Sequence, residues 1–251
     1  MTAAVAGAAA GSRPVPADAV HVWRGYRSAA ISPKGFVDFL STVFVPACAL
    51  LQPAAGLHAY LPALPAAPVS GVPDQTALMF WTDQQAYHDA FATPAVRAYT
   101  NLHGDLYGPP SSAEFPVPFA GALAAEQPYH LLHGPADWMV GGAYHVLGGR
   151  PPGTTPKDFR AGLTAWAKAY QSNPPSDVDG ALFVAGDNYA AFWQHGPGPA
   201  VGPPDGLAAL LVPALDAPAT PLTLPGGLWD RWPGLDLPEG AVVNIALDRP
   251  R

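Results

Sequence analysis

Apolar residues recur every three or four positions in two stretches of the chain. One follows the segment Ser32-Pro33-Lys34-Gly35-Phe36, and the other follows Thr155-Pro156-Lys157-Asp158-Phe159. In both segments the hydroxyl residue can cap free backbone N–H groups, and proline fits the first helical position. The pattern predicts an amphipathic helix over about 36–51 and a shorter one from Phe159 that ends before Asn173-Pro174-Pro175. The matching helix starts indicate an internal repeat.

Short β-branched and aromatic runs surround each predicted helix. Such runs are typical of strands, and in both parts of the chain they give the element order βαββαβ. In the first part the order comprises strands at 20–27, 56–61, 76–81 and 129–133, with a second helix from about 83 to 102 that is broken at Thr93-Pro94. In the second part it comprises strands at 138–147, 181–185, 189–195 and 241–247, with a second helix at 205–215.

This order predicts an α+β protein made of two ferredoxin-like halves, whose antiparallel sheets close into an α/β barrel within one chain. The domain boundaries follow from the repeat. We expect a disordered tail at 1–18, a first half at 19–134 with a linker at about 108–127, and a second half at 135–251. The proline- and glycine-rich run at 217–240 is expected to form a long loop over one end.

Alternation along the predicted strands separates aliphatic positions from polar and aromatic ones. Because aliphatic side chains suit the helix-covered face of a sheet, we expect the polar and aromatic set to face a cavity between the two sheets. That set comprises His21, Trp23, His58, Tyr60, Met79, Trp81, Tyr189, Trp193 and His195.

Composition narrows the class of protein. Of the 251 residues, 49% are hydrophobic and 12% charged, so a packed core is expected. The net charge of -7 and the lack of a Lys/Arg cluster argue against a nucleic-acid partner. The single cysteine, Cys48, excludes an intrachain disulfide, and no apolar run reaches membrane-spanning length, so we expect a soluble cytoplasmic protein. Motifs of serine hydrolases, P-loop NTPases and Rossmann enzymes are absent.

The segment Leu78-Met-Phe-Trp81-Thr-Asp-Gln-Gln-Ala-Tyr87-His-Asp-Ala-Phe-Ala-Thr-Pro94-Ala-Val-Arg97-Ala-Tyr99 joins a strand ending in tryptophan to a helix with a Thr-Pro break. It resembles the dimeric α/β-barrel superfamily, and residues 19–134 are similar to its antibiotic-biosynthesis monooxygenase-like branch. The second half matches through element order and its helix start. The resemblance implies cofactor-free oxygenation of polyphenols, lactone isomerisation, haem degradation, or haem-based dehydratase and dismutase reactions.

We therefore expect an enzyme of secondary metabolism, an oxygenase or cyclase that needs no cofactor and acts on a hydrophobic aromatic or polyketide-like substrate. His21 and His58 are the candidate catalytic bases, because an imidazole can remove a proton near neutral pH. The other reading is that these histidines are hydrogen-bonded residues of a wetted sheet face. The candidate substrate-binding residues are Trp23, Tyr60, Met79, Trp81, Tyr189 and Trp193.

Two alternative functions use the same fold. One is a haem-binding, dehydratase- or peroxidase-like enzyme with His195 or His145 as axial ligand, and the other is a noncatalytic ligand-binding protein. Haem degradation is disfavoured, because His21 stands where the resemblance implies asparagine. His130 and His133 lie three apart on a predicted strand, which points their rings to opposite faces and argues against a metal site. The fused halves are compatible with a monomer or a homodimer.

Overall fold

A computed structural model describes residues 19–40, 44, 47–48, 56–65, 68–92, 94–134, 136–138, 140–219 and 222–223. Within these ranges the chain forms a mixed α+β structure with two β-sheets. None of the described helices has the length and apolar composition needed to cross a bilayer.

The first sheet carries the helices of the N-terminal part of the chain. Its strands lie antiparallel in the order β11-β2-β3-β1-β4. The elements of this part are β1 (Val20–Arg27), α1 (Pro33–Phe39), β2 (Leu57–Ala63), β3 (Gln75–Trp81), α2 (Gln84–Ala90), α3 (Pro94–Leu106) and β4 (Tyr107–Glu114), and β11 (Leu222–Thr223) joins from the far end of the chain.

The second sheet has the strand order β10-β7-β9-β8-β6-β5, with one parallel pair, β5–β6. One long helix covers it. The elements are β5 (Val117–Pro118), β6 (Tyr129–His133), β7 (Gly142–Gly149), α4 (Pro156–Ser172), β8 (Gly180–Ala185), β9 (Tyr189–Gly196), a 3-10 helix (Ala208–Leu210) and β10 (Val212–Ala219).

The two helix starts found in the sequence are confirmed. Ser32 Oγ accepts a hydrogen bond of 3.0 Å from Gly35 N, and Thr155 Oγ1 accepts one of 3.1 Å from Asp158 N. α4 ends at Ser172, before the predicted stop. Helix α1 spans Pro33–Phe39, and most of the predicted remainder to residue 51 lies outside the described residues.

Two predicted elements differ from the structure. The segment 108–127 was expected to be a linker, but Tyr107–Glu114 is the fourth strand of the first sheet. The segment 205–215 was expected to be a helix, but most of its second half belongs to the strand Val212–Ala219. Both strands contain prolines and lie at or next to a sheet edge, where a missing N–H need not break a ladder.

The predicted strand at 129–133 exists, but it belongs to the second sheet, where β6 pairs with β8. It does not close the first sheet as expected. The predicted strand at 138–147 begins later, at Gly142. The predicted strand at 241–247 and nearly all of the predicted 217–240 loop lie outside the described residues.

The second sheet has one face against its helix and the other against the first sheet. Phe159 and Leu163 of α4 pack against Phe183 and Phe192 on the outer face. On the inner face Thr76 Oγ1 lies 3.0 Å from His145 Nε2, and the rings of Phe80 and Trp138 and of Tyr26 and Tyr189 are in contact. The residues Thr76 and Phe80 therefore point from the first sheet towards the second.

Candidate functional site

A cavity of about 340 Å³ lies between the first sheet and the helices α2 and α3. Its wall is mostly aromatic and aliphatic, with a few polar groups, as is typical of small-molecule pockets. The lining residues are His21, Trp23, Met79, Trp81, Tyr87, Phe91, Val96, Thr100, His103 and Ala113.

Strand pairing shows which residues of the first sheet line this cavity. His21 of β1 lies directly opposite Met79 of β3, and Trp23 lies opposite Ala77. Since residues opposite each other in an antiparallel pair share a face, His21, Trp23, Met79 and Trp81 all project from one side of the sheet. Four of the predicted site residues are thus brought together.

The side of the sheet on which they lie differs from the prediction. They were expected to face the second sheet, but the cavity they line is closed by α2 and α3. The intersheet face is occupied by the alternate positions, including Thr76, Leu78 and Phe80, of which the last two are fully buried. The prediction failed because the two sheets pack directly against each other. Burial of apolar surface favours the more apolar alternate positions of the first sheet at that interface.

Helix α2 brings a tyrosine over the histidine. Asp83 Oδ1 accepts a 2.7 Å hydrogen bond from Ala86 N and caps the start of α2. One turn into the helix, the ring of Tyr87 lies against His21 with centroids 4.0 Å apart, and Phe115 contacts the imidazole from a centroid distance of 4.7 Å. The imidazole is enclosed by two aromatic rings.

His21 is only 2% exposed, and burial lowers its pKa to about 4. A hydrogen bond to the backbone of Ala113 opposes this effect, and the charges of Arg24 and His88 add to it. The ring is therefore neutral at physiological pH. Nδ1 is buried and has no hydrogen-bond partner. A neutral imidazole carries one protonated nitrogen and one nitrogen with a free lone pair, so the ring can accept a proton.

Tyr87 supplies a hydroxyl beside this imidazole. Burial, with the charge of Glu114 as a second cause, raises its pKa to about 12. The phenol therefore stays protonated across the physiological range and can donate a hydrogen bond to a developing anion. Tyr87 also contacts Trp81 edge-to-face at a centroid distance of 5.4 Å, so its ring belongs to the cavity wall.

The far wall comes from α3, which sequence reasoning did not include in the site. His103 contacts Trp23 edge-to-face, and its Nδ1 lies 3.1 Å from the carbonyl oxygen of Thr100. Val96, Thr100 and His103 are spaced four and three residues apart, and Tyr87 and Phe91 on the preceding stretch are four apart, so the members of each group share one helix side. That spacing was the available signal.

The remaining predicted substrate-binding residues lie elsewhere. The Tyr60 hydroxyl accepts a 2.7 Å hydrogen bond from Gln75 Nε2 within a buried network that Tyr107 completes. Tyr189 donates a 2.6 Å hydrogen bond to Glu126 and lines a separate cavity of about 330 Å³. Trp193 is buried and stacked on His145. The side chain of the second candidate base, His58, lies outside the described residues.

Neither suggested axial ligand fits haem. His145 Nδ1 lies 2.9 Å from the carbonyl oxygen of Phe192, so it donates, and in the neutral ring Nε2 accepts from Thr76. His195 Nδ1 and Nε2 each lie 2.6 Å from an acceptor, a carboxylate oxygen of Asp179 and the carbonyl oxygen of Val140. Both histidines are buried with both ring nitrogens engaged, and neither lines the cavity described above.

The prediction for His130 and His133 was also wrong in its geometry. A bulge in β6 places their rings side by side, with centroids 4.5 Å apart and planes 10° from parallel. Among the residues that the structure describes, no group of three or more His, Cys, Asp or Glu side chains is arranged to hold a metal ion.

No protein-family model matches the sequence, and comparison with curated proteins gives no match. Among solved structures, the chain is similar to a proposed monooxygenase of Lactobacillus acidophilus, with 5% identity, a TM-score of 0.33, and coverage of 71% of this chain and 76% of that one. A proposed monooxygenase of Fusobacterium nucleatum gives 7% identity, a TM-score of 0.33, and coverage of 70% and 74%. Similarity at this level carries no conclusion about fold family or reaction.

Proposed function

We propose that this protein is an enzyme that binds a flat, hydrophobic aromatic molecule between the first sheet and helices α2 and α3 and removes a proton from it with His21. The observation that carries the proposal is the state of His21. It is a neutral imidazole with an unpartnered Nδ1, in the wall of an aromatic cavity. A general base needs that protonation state, and an apolar cavity favours a flat ligand.

Proton removal prepares an electron-rich substrate for one of two reactions. In oxygenation, a CH2 group and O2 give a carbonyl group and water, and the substrate supplies all four electrons, so the reaction needs no external reductant. In cyclisation, the carbanion attacks a carbonyl carbon of the same molecule and forms a carbon–carbon bond without an oxidant. Neither reaction requires a cofactor, in line with the secondary-metabolic role that the sequence resemblance suggests.

The chain's own residues divide the work. Trp23 and Trp81 provide flat surfaces for an aromatic ligand, and Met79 fills the space between them. Tyr87 donates a hydrogen bond to the oxyanion that forms as the proton leaves, since its hydroxyl remains protonated. Because Tyr87 also covers the imidazole, substrate binding requires α2 to shift or the tyrosine ring to turn.

The test is a comparison of the wild type with His21→Asn against a panel of polyphenols and hydroxyanthrones. Asparagine is polar and smaller than histidine but is no base, so ligand binding should persist while the rate falls about 100-fold or more. Oxygen uptake and product mass report oxygenation and cyclisation, and tryptophan fluorescence reports binding. Thr155→Ser, which keeps the hydroxyl that caps α4 away from the cavity, serves as control.

Two other results would redirect the proposal. A ligand that binds and leaves unchanged in the presence of oxygen would identify a ligand-binding protein that uses the same cavity. Turnover that is equal in His21→Asn and wild type would remove His21 as the base. His58 would then be the next variant to make.

We further infer that each sheet is a ferredoxin-like half. Counted from β1 in the first sheet and from β7 in the second, the four core strands have the orders 2-3-1-4 and 4-1-3-2, which are the same order read in opposite directions. Strands β5 and β6 are additions at one edge of the second sheet. We place the boundary between β4 and β5, because β6 pairs with β8. We also propose that the cytoplasm is its location. The fused halves are compatible with a monomer or a homodimer, and light scattering of the full chain distinguishes the two.

A further inference from the structure

His130 and His133 lie on β6, and their proximity depends on one extra residue. His130 pairs with Leu182 and Leu132 with Ala181, so two steps along β6 match one step along β8. The extra residue is Leu131, and it reverses the alternation of the residues that follow it. Two histidines three positions apart therefore share a face, and their rings stack.

The two histidines differ in how freely their side chains can turn. His130 is 6% exposed and held in the packed sheet, whereas His133 is exposed. On one side β6 pairs with β8 along its length. On the other side β5 pairs only with Tyr129 and His130, so among the described residues no strand lies beside His133 on that side. The ring of His133 can turn about its side-chain torsions without displacing core atoms.

We propose that His130 and His133 together bind one divalent transition-metal ion, with Zn²⁺ as the reference ion. Zn²⁺ lies about 2.0–2.1 Å from imidazole nitrogens in tetrahedral geometry, which sets the two nitrogens roughly 3.3 Å apart. The ring centroids lie 4.5 Å apart, so the proposal requires the exposed His133 ring to turn until one of its nitrogens lies at that distance from a nitrogen of His130. Water completes the coordination, because the described residues offer no cluster with a third protein ligand.

The test is calorimetric titration of metal-free, full-length protein with ZnCl2 at pH 7.5. We expect one ion per chain, with affinity reduced about tenfold or more in His133→Gln, since glutamine preserves polarity and loses the imidazole ligand. The control is His88→Gln, which removes another exposed histidine, on α2, and should leave the affinity unchanged. Binding should weaken at pH 5.5, where protons compete for the imidazole nitrogens.

A second measurement avoids variants of His130, because a substitution at this buried position also disturbs the packing of the sheet. Zinc-dependent shifts of the ring nitrogen resonances should occur at His130 and His133 together and at no other histidine. Equal zinc affinity in wild type and His133→Gln would overturn the proposal. So would nitrogen shifts confined to other histidines. Neither outcome bears on the function proposed for His21.

Discussion

At the scale of the residue, hydrogen-bond partners decide what each buried histidine does. His21 and His145 are both buried, and burial lowers the pKa of each to about 4. They differ in their contacts, because His145 has both nitrogens engaged and His21 keeps Nδ1 without a partner. The same residue type thus serves as a structural contact in one place and as a candidate base in the other.

These two histidines predict how the free energy of unfolding depends on pH. Their pKa values are about 4 in the folded chain and about 6.5 in the unfolded chain, so the unfolded chain binds more protons between those values. The free energy of unfolding should therefore fall as pH drops from about 6.5 to 4 and should not depend on these groups above or below that window. Each group contributes about 3 kcal/mol at most.

Urea unfolding of the wild type and His145→Asn at pH 7 and pH 4.5 measures this effect. The variant should be less stable at pH 7, because its hydrogen bonds to Thr76 and Phe192 are altered, but it should lose less stability on acidification. An equal loss in both proteins would show that His145 is already protonated in the folded state or titrates normally there.

At the scale of the element, sequence signals were reliable where the interacting residues lie a few positions apart in the chain. Ser32 and Thr155 cap helices within three residues, so their role could be predicted from sequence alone. The roles of Pro109, Pro213 and Leu131 could not be predicted in this way. Whether a proline breaks a strand depends on its distance from the sheet edge, and whether a residue forms a bulge depends on the neighbouring strand.

The cap of α4 gives a prediction of this local kind. Thr155→Ala removes the side-chain acceptor for Asp158 N and should lower the free energy of unfolding by about 1 kcal/mol. Thr155→Ser keeps the hydroxyl and should lose much less. Chemical denaturation of the two variants beside the wild type measures the difference, and equal stability of the Ala and Ser variants would show that the cap contributes nothing.

At the scale of the whole molecule, the packing of the sheets decides which face carries the site. Alternation correctly grouped His21, Trp23, Met79 and Trp81, because strand geometry fixes which residues share a side. It could not tell which side meets the second sheet. Both faces of the first sheet are buried, one by helices and the other by the second sheet. Leu78 and Phe80, which face the second sheet, are as apolar as residues that face a helix, so their sequence does not distinguish the two faces.

The hydrogen bond between Thr76 and His145 tests this arrangement, because it joins the first sheet to the second inside the core. Thr76→Val preserves shape but removes the hydroxyl, leaving the buried Nε2 of His145 without a donor. Such a loss costs about 1–3 kcal/mol of unfolding free energy. Thr76→Ser retains the hydroxyl and should be close to the wild type by urea denaturation. If the two sheets did not meet at these residues, Thr76→Val would be as stable as Thr76→Ser.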